Sequence, residues 1–136
     1  MILGVDFGDS RTGYAVSDAL GFSANTLEVY AEKNINKVAQ HTAELAKNLG
    51  AEKIVLGFPK NMNGTEGPRA ELCRAFADTL REATGLEVVM WDERRTTVEA
   101  HNILSQHNYH GKKRKNTVDA VAASLILEGY LAFRGR

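Results

Sequence analysis

The sequence predicts an α/β domain in which helices flank a mixed five-stranded sheet, in the order β-β-β-α-β-α-β-α-α. Three extended segments come first, before any helical periodicity, and two further short apolar runs then alternate with helical segments. At 136 residues the chain supplies one core, so a single domain over 1–136 is expected, without room for a second lobe of any size.

Apolar continuity makes 1–5 a buried strand and 12–16 a second, with Gly8, Asp9, Ser10 and Arg11 as the hairpin turn between them. A third extended segment fits 22–30. Over 35–49 the apolar residues Ile35, Val38, Ala39, Leu45, Ala46 and Leu49 recur at helical spacing, and Gly50 stops the helix. Ile54, Val55 and Leu56 form a short buried strand within 53–57, followed by the turn-rich stretch 58–67. Pro68 suits the first turn of a helix that runs to Thr84 and ends before Gly85. Strand 86–90 leads into Trp91, Asp92 and Glu93. Thr96 with Glu99 makes a capping box that opens a helix to His107, and Asn116 is expected to cap the last helix, 117–133. This succession of strands and helices is the layout of a ribonuclease H-like domain.

Composition narrows the function classes. Seventeen basic and seventeen acidic residues balance to zero formal charge, so no global field attracts a polyanion and any nucleic-acid contact must be regional. Dense local positive charge occurs at Lys112-Lys113-Arg114-Lys115 and at Arg94-Arg95. The single cysteine, Cys73, excludes a disulfide framework and a cysteine metal cluster, and points to a reducing, cytoplasmic compartment. No apolar run approaches the roughly 18 residues that span a bilayer, so no membrane partner is expected.

Three carboxylates carry the chemical signal. Asp6 closes an apolar strand and precedes a glycine-flanked polar turn, at the strand end where α/β sheets gather ligands. The alternative is that it accepts hydrogen bonds from the turn amides. Asp119 lies in Val118-Asp119-Ala120-Val121-Ala122-Ala123, a helix apolar almost all round. Burying a lone carboxylate costs several kcal/mol unless it is paired or metal-bound. If Asn116 caps the helix, however, Asp119 is also an early residue favoured by the helix dipole without any function. Asp92 and Glu93 are adjacent, and strand alternation lets only one face the side of Asp6. Glu93 is favoured for a metal site and Asp92 for a supporting or solvated role. If Asp6, Glu93 and Asp119 converge, their repulsion demands a cation, and hard oxygen ligands suit Mg2+ or Mn2+. Such ions activate water and steady the leaving oxygen of a phosphodiester.

Several groups are candidates for binding phosphate. Asn61, Asn63, Gly64, Thr65 and Gly67 form a polar loop before a helix N-terminus, with Lys60 and Arg69 flanking it. Without the other motifs it reads as an ordinary strand-to-helix loop. Lys112, Lys113, Arg114 and Lys115 precede Asp119, in a loop that either positions phosphates or keeps the protein soluble. Arg11 and Arg94 are further candidates for the scissile strand. His101, His107 and His110 follow no compact ligand pattern. Trp91 and Tyr109 suit base stacking or packing equally.

Four stretches, Gly4-Val5-Asp6-Phe7-Gly8, the run from Leu56 through Pro59, Lys60, Asn61 and Asn63 to Gly67, Asp92-Glu93-Arg94-Arg95-Thr96-Thr97, and Asp119-Ala120-Val121-Ala122-Ala123, together resemble the bacterial YqgF family. The resemblance spans essentially the whole chain, in order. It implies a ribonuclease H-like fold, kinship with Holliday junction resolvases, and a nuclease that processes the 5′ end of pre-16S ribosomal RNA. It also implies Asp6, Glu93 and Asp119 as the acidic, metal-binding positions. Asn63 departs from the aspartate expected there in many relatives, which puts any catalytic role of that position in doubt. The partner expected is therefore precursor ribosomal RNA, with branched DNA as the alternative, and the chain is expected to be a monomer or weak homodimer. A junction resolvase would require a symmetric dimer. Two other readings stay open: an RNA-binding maturation or transcription factor that does not cut, and an actin-like or sugar-kinase phosphate loop, which normally needs two lobes.

Overall fold

The computed structural model describes residues 1–20, 23–58, 67–92 and 111–134, the last segment with side chains from residue 121 onward. Its elements are β1 (Ile2–Asp6), β2 (Arg11–Ser17), β3 (Ala24–Ala31), α1 (Ile35–Leu49), β4 (Lys53–Phe58), α2 (Pro68–Thr84), β5 (Glu87–Asp92) and α3 (Gly111–Arg134). The strands form one sheet in the order β3-β2-β1-β4-β5. β1 pairs antiparallel with β2 and parallel with β4, and β4 pairs parallel with β5, so the sheet is mixed and β1 is central. The helix expected over 96–107 lies outside the described residues.

Strand alternation divides the core between two faces. Leu3 and Val5 of β1, Tyr14 of β2 and Ile54 and Leu56 of β4 pack with Val38, Ala39, Phe76 and Leu80 of α1 and α2. Ile2, Ala15 and Val55 turn the other way, onto Ala123, Ile126 and Leu127 of α3. Caps fix the ends of the first two helices. Asn34 accepts from the Asn36 and Lys37 amides at 2.9 and 3.2 Å, and Gly50 closes α1 in the left-handed conformation at φ 67°. Pro68 opens α2 at its first position, and Gly85 ends it at φ 69°.

Two boundaries differ from expectation with consequences for the site. β2 already begins at Arg11, because Arg11 pairs with Ala31 of β3, so Arg11 is a strand residue and not part of the turn. α3 begins at Gly111, so Asn116 is interior and the basic run 112–115 is helical, not a loop. Lysine and arginine are good helix formers, and the helix continues through them past the local capping signal of Asn116.

A buried polar bridge ties α1 to the sheet. Thr42 Oγ1 donates to the Val38 carbonyl at 2.7 Å, which leaves Tyr14 Oη to donate to Thr42 Oγ1 at 2.6 Å. Burial pushes the Tyr14 hydroxyl well above its usual pKa, and the Thr42 hydrogen bond opposes that only in part. A group whose folded pKa is raised stabilises the fold below its unfolded pKa and loses that contribution above it. Tyr14→Phe should therefore cost about 1 kcal/mol at neutral pH in urea unfolding. The gap should close and reverse above about pH 10, where wild type loses about 1.4 kcal/mol per pH unit and the variant does not. Thr12 is fully buried and its Oγ1 has no hydrogen-bond partner among the described residues. Thr12→Val, which removes that hydroxyl at constant shape, should raise stability by about 1 kcal/mol in the same assay.

Candidate active site

The carboxyl ends of β1, β4 and β5 form one edge of the sheet, and Asp6 closes β1 there, half-buried. It follows Ile2 and Gly4 at every second position, so it belongs to the α3 face. Its partner on β2 is Gly13. On the other side Val5 pairs with Leu56, which brings the register to Gly57 beside Asp6. Asp6 thus stands between two residues without side chains, which leaves room at the end of the strand.

The same register separates the two neighbouring acids. Gly57 pairs with Trp91 and Phe58 with Asp92. Trp91 lies on the α3 face, edge-on to Tyr130 at 6.1 Å between ring centroids and tilted on Phe133 at 5.7 Å, so it is a packing residue and not a base platform. Phe58 lies on the opposite face with Ala70 and Cys73 of α2, and Asp92 is on that face too. Asp92 is therefore not on the side of Asp6. Glu93 lies outside the described residues.

α3 crosses β1 at very close range. A Cβ placed on Gly4 would come 2.9 Å from Leu127 Cβ and 3.1 Å from the Ala123 carbonyl oxygen. The end of the helix, Arg134, is beside Met1, Ile2 and Ser17 at the opposite end of the sheet. The helix therefore runs antiparallel to β1, and its earlier turns extend toward Asp6. Position 119 is one turn before Ala123 on the same helix face, about 6 Å along the axis, which matches the advance from Gly4 to Asp6 along the strand. Because α3 starts at Gly111, residue 119 is about two turns inside the helix. The dipole account of an acidic residue there loses its basis, since that effect fades within the first turn.

The turn after Asp6 is held from α2. Arg69 Nη1 donates to Asp9 Oδ1 and Nη2 to the Phe7 carbonyl, and the guanidinium lies over the Phe7 ring at 5.6 Å. Phe7 in turn stacks on Phe76 at 4.3 Å. Arg69 is therefore engaged within the protein, where its place in the sequence suggests a free phosphate ligand. Nothing in the sequence pattern pairs residues 9 and 69, which only the chain's return to this edge brings together. Gly8 is required by close approach, because a Cβ there would overlap the Arg11 carbonyl oxygen.

Of the nucleic-acid candidates, Arg11 is half-buried at the start of β2, and Lys112, Lys113, Arg114 and Lys115 are in the first turns of α3. Lys60, Asn61 and Arg94 lie outside the described residues, as do His101, His107, Tyr109 and His110. The chain leaves β4 at Phe58 and β5 at Asp92, both on the Asp6 edge. Among the described residues no group of three His, Cys, Asp or Glu could hold a metal ion.

This sheet order with helices on both faces is the ribonuclease H-like fold of resolvase-type nucleases. The structure of RuvC from Thermus thermophilus superposes with a TM-score of 0.59 at 14% identity, covering 98% of this chain and 96% of that one. A family model described as "RuvX: Holliday junction resolvase" matches residues 1–133, and the chain belongs to that family. A Bacillus cytotoxicus protein named "Putative pre-16S rRNA nuclease" is 45% identical over 132 residues, 96% of each chain. A protein of the same name from Carboxydothermus hydrogenoformans is 42% identical over 135 residues, 99% of this chain and 98% of that one. Membership over nearly the whole chain displaces the kinase-like reading of the first glycine loop.

The contact at Gly4 gives a direct test of how the helix is placed. Gly4→Ala should lower stability by about 1–3 kcal/mol through overpacking, measured by urea unfolding. Shifting α3 off β1 should also lower any activity of the site by more than the folded fraction falls.

Proposed function

We propose that the chain is a Mg2+- or Mn2+-dependent endonuclease that hydrolyses phosphodiester bonds at the 5′ end of pre-16S ribosomal RNA. Asp6, Glu93 and Asp119 are its metal-binding carboxylates. The observation that carries the reading is the carboxylate of Asp6 at the ligand-gathering edge of the central strand, under a helix whose position 119 is on the face that packs there. Asp92 belongs to the other face of the sheet, which leaves Glu93 as the acid of this pair assigned to the site in the proposal. The donor chemistry fits the ion: carboxylate oxygens suit Mg2+ and Mn2+. Bound there, the ion supplies an activated water and stabilisation of the leaving oxygen.

The chain's own residues bind and orient the substrate. The basic run 112–115 sits where the N-terminal amides and dipole of α3 are positive, and joins Arg11, Lys60, Asn61 and Arg94 in holding phosphates. This regional charge suits a protein of zero net charge, and a binding mode that weakens with salt. No helix among the described residues is long and apolar enough to cross a membrane. A cytoplasmic monomer or weak homodimer completes the proposal.

A second reading, resolution of branched DNA, is favoured by the RuvC-like fold and by the family's description. The deciding assay sets a labelled pre-16S RNA fragment beside a four-way DNA junction, each with Mn2+, Mg2+ or chelator. Metal-dependent cutting of the RNA alone is expected, and symmetric cutting of the junction would move the function to recombination. Binding without cutting would leave a maturation factor. Asp6→Asn should lower cleavage by at least about 10³-fold while the thermal unfolding midpoint stays near that of wild type.

A further inference from the structure

We infer that Arg69 is a positioning residue for the metal-binding edge, not a phosphate ligand: it fixes the backbone that follows Asp6. The inference rests on the nuclease reading above, and its physical basis is the fork of contacts that one guanidinium makes. One arm donates to the Asp9 carboxylate and the other to the Phe7 carbonyl, while the guanidinium carbon lies over the Phe7 ring. Phe7 is the residue after Asp6, and its ring is held from below by Phe76 of α2. The Asp9 arm is weak by itself, since Asp9 is 85% exposed and such pairs contribute little in water. The Phe7 arm is different, because it holds a main-chain carbonyl adjacent to the carboxylate. Arg69 is in the first turn of α2, just after the segment 59–66. One side chain therefore couples the start of that helix to the β1–β2 turn. A lysine cannot replace it, as a single ammonium lacks the planar fork that reaches both acceptors.

Arg81 offers an internal control. It makes a similar two-armed contact at the far end of α2, to Asp78 and the Val88 carbonyl, both at 2.9 Å, remote from the edge. The experiment compares wild type with Arg69→Gln, Arg69→Lys, Arg81→Gln and Asp6→Asn by amide hydrogen exchange, Mn2+ titration, and kcat and KM on the RNA fragment over a range of salt. Arg69→Gln should speed exchange at residues 7–11 and lower kcat and Mn2+ affinity by about tenfold each, in keeping with small misplacements of a catalytic group. KM and its salt dependence should remain as in wild type, Arg69→Lys should not restore kcat, and Arg81→Gln should alter stability alone. A raised KM with a shallower salt dependence and unchanged exchange would make Arg69 a phosphate ligand and overturn the inference. Unchanged exchange, kcat and Mn2+ affinity would overturn it as well. If wild type does not cut the RNA, or Asp6→Asn keeps full activity, the reading of this edge as the nuclease site fails, and exchange at 7–11 alone then upholds or overturns the hold of Arg69 on the turn.

Discussion

The close approach of α3 to β1 at Gly4 is the constraint on which the rest of the site depends. Gly4 brings no side chain to the contact, so the Leu127 side chain and the Ala123 carbonyl of the helix come directly against the strand backbone, and Ala123 is itself small and buried. Any larger residue at either position would lift the helix away from the sheet. This contact sets the axial position of the helix relative to β1, and with Arg134 beside Met1 and Ile2 giving its direction, the level of every earlier turn follows. The apolar layer below, Ile2, Val55, Ile126, Leu127 and Tyr130, then holds the arrangement by burial. Lys53 adds a polar lock at the far end by donating to Tyr130 Oη at 2.9 Å.

A second constraint operates across the sheet. The turn after Asp6 is short, and Gly8 allows it to close against the Arg11 carbonyl. What holds that turn is not within it but on α2, through Arg69 and the stacked pair of Phe7 and Phe76. The central strand is therefore fastened from both faces: by α3 over Gly4 and by α2 under Phe7. A carboxylate at the end of such a strand has little backbone freedom, which is the property required of a group that must meet others at fixed separation.

Charge is distributed to match. Zero net charge gives no long-range attraction, so affinity for a polyanion has to arise where positive groups are gathered. Four basic residues in the first turns of α3 oppose the helix dipole and cost helix stability there. Such an arrangement is unfavourable for folding alone.

The sequence by itself determined the order of the described elements, because apolar runs and helical periodicity are local signals; strands 1–5, 12–16 and 53–57 and helices 35–49 and 68–84 are found within a residue or two of their expected bounds. It also singled out Asp6, since an acid that ends an apolar strand is legible in one dimension, while strand alternation said only that one of Asp92 and Glu93 can face the side of Asp6. Capping preference misled at Asn116, since α3 begins at Gly111 and the expected basic loop is helix. Which face Asp92 occupies, what Arg69 binds, and why Gly4 must be glycine were decided only by the tertiary structure. Each is a relation between residues tens of positions apart, set by strand register and by the height at which a helix crosses a sheet, and no local pattern of residues encodes either.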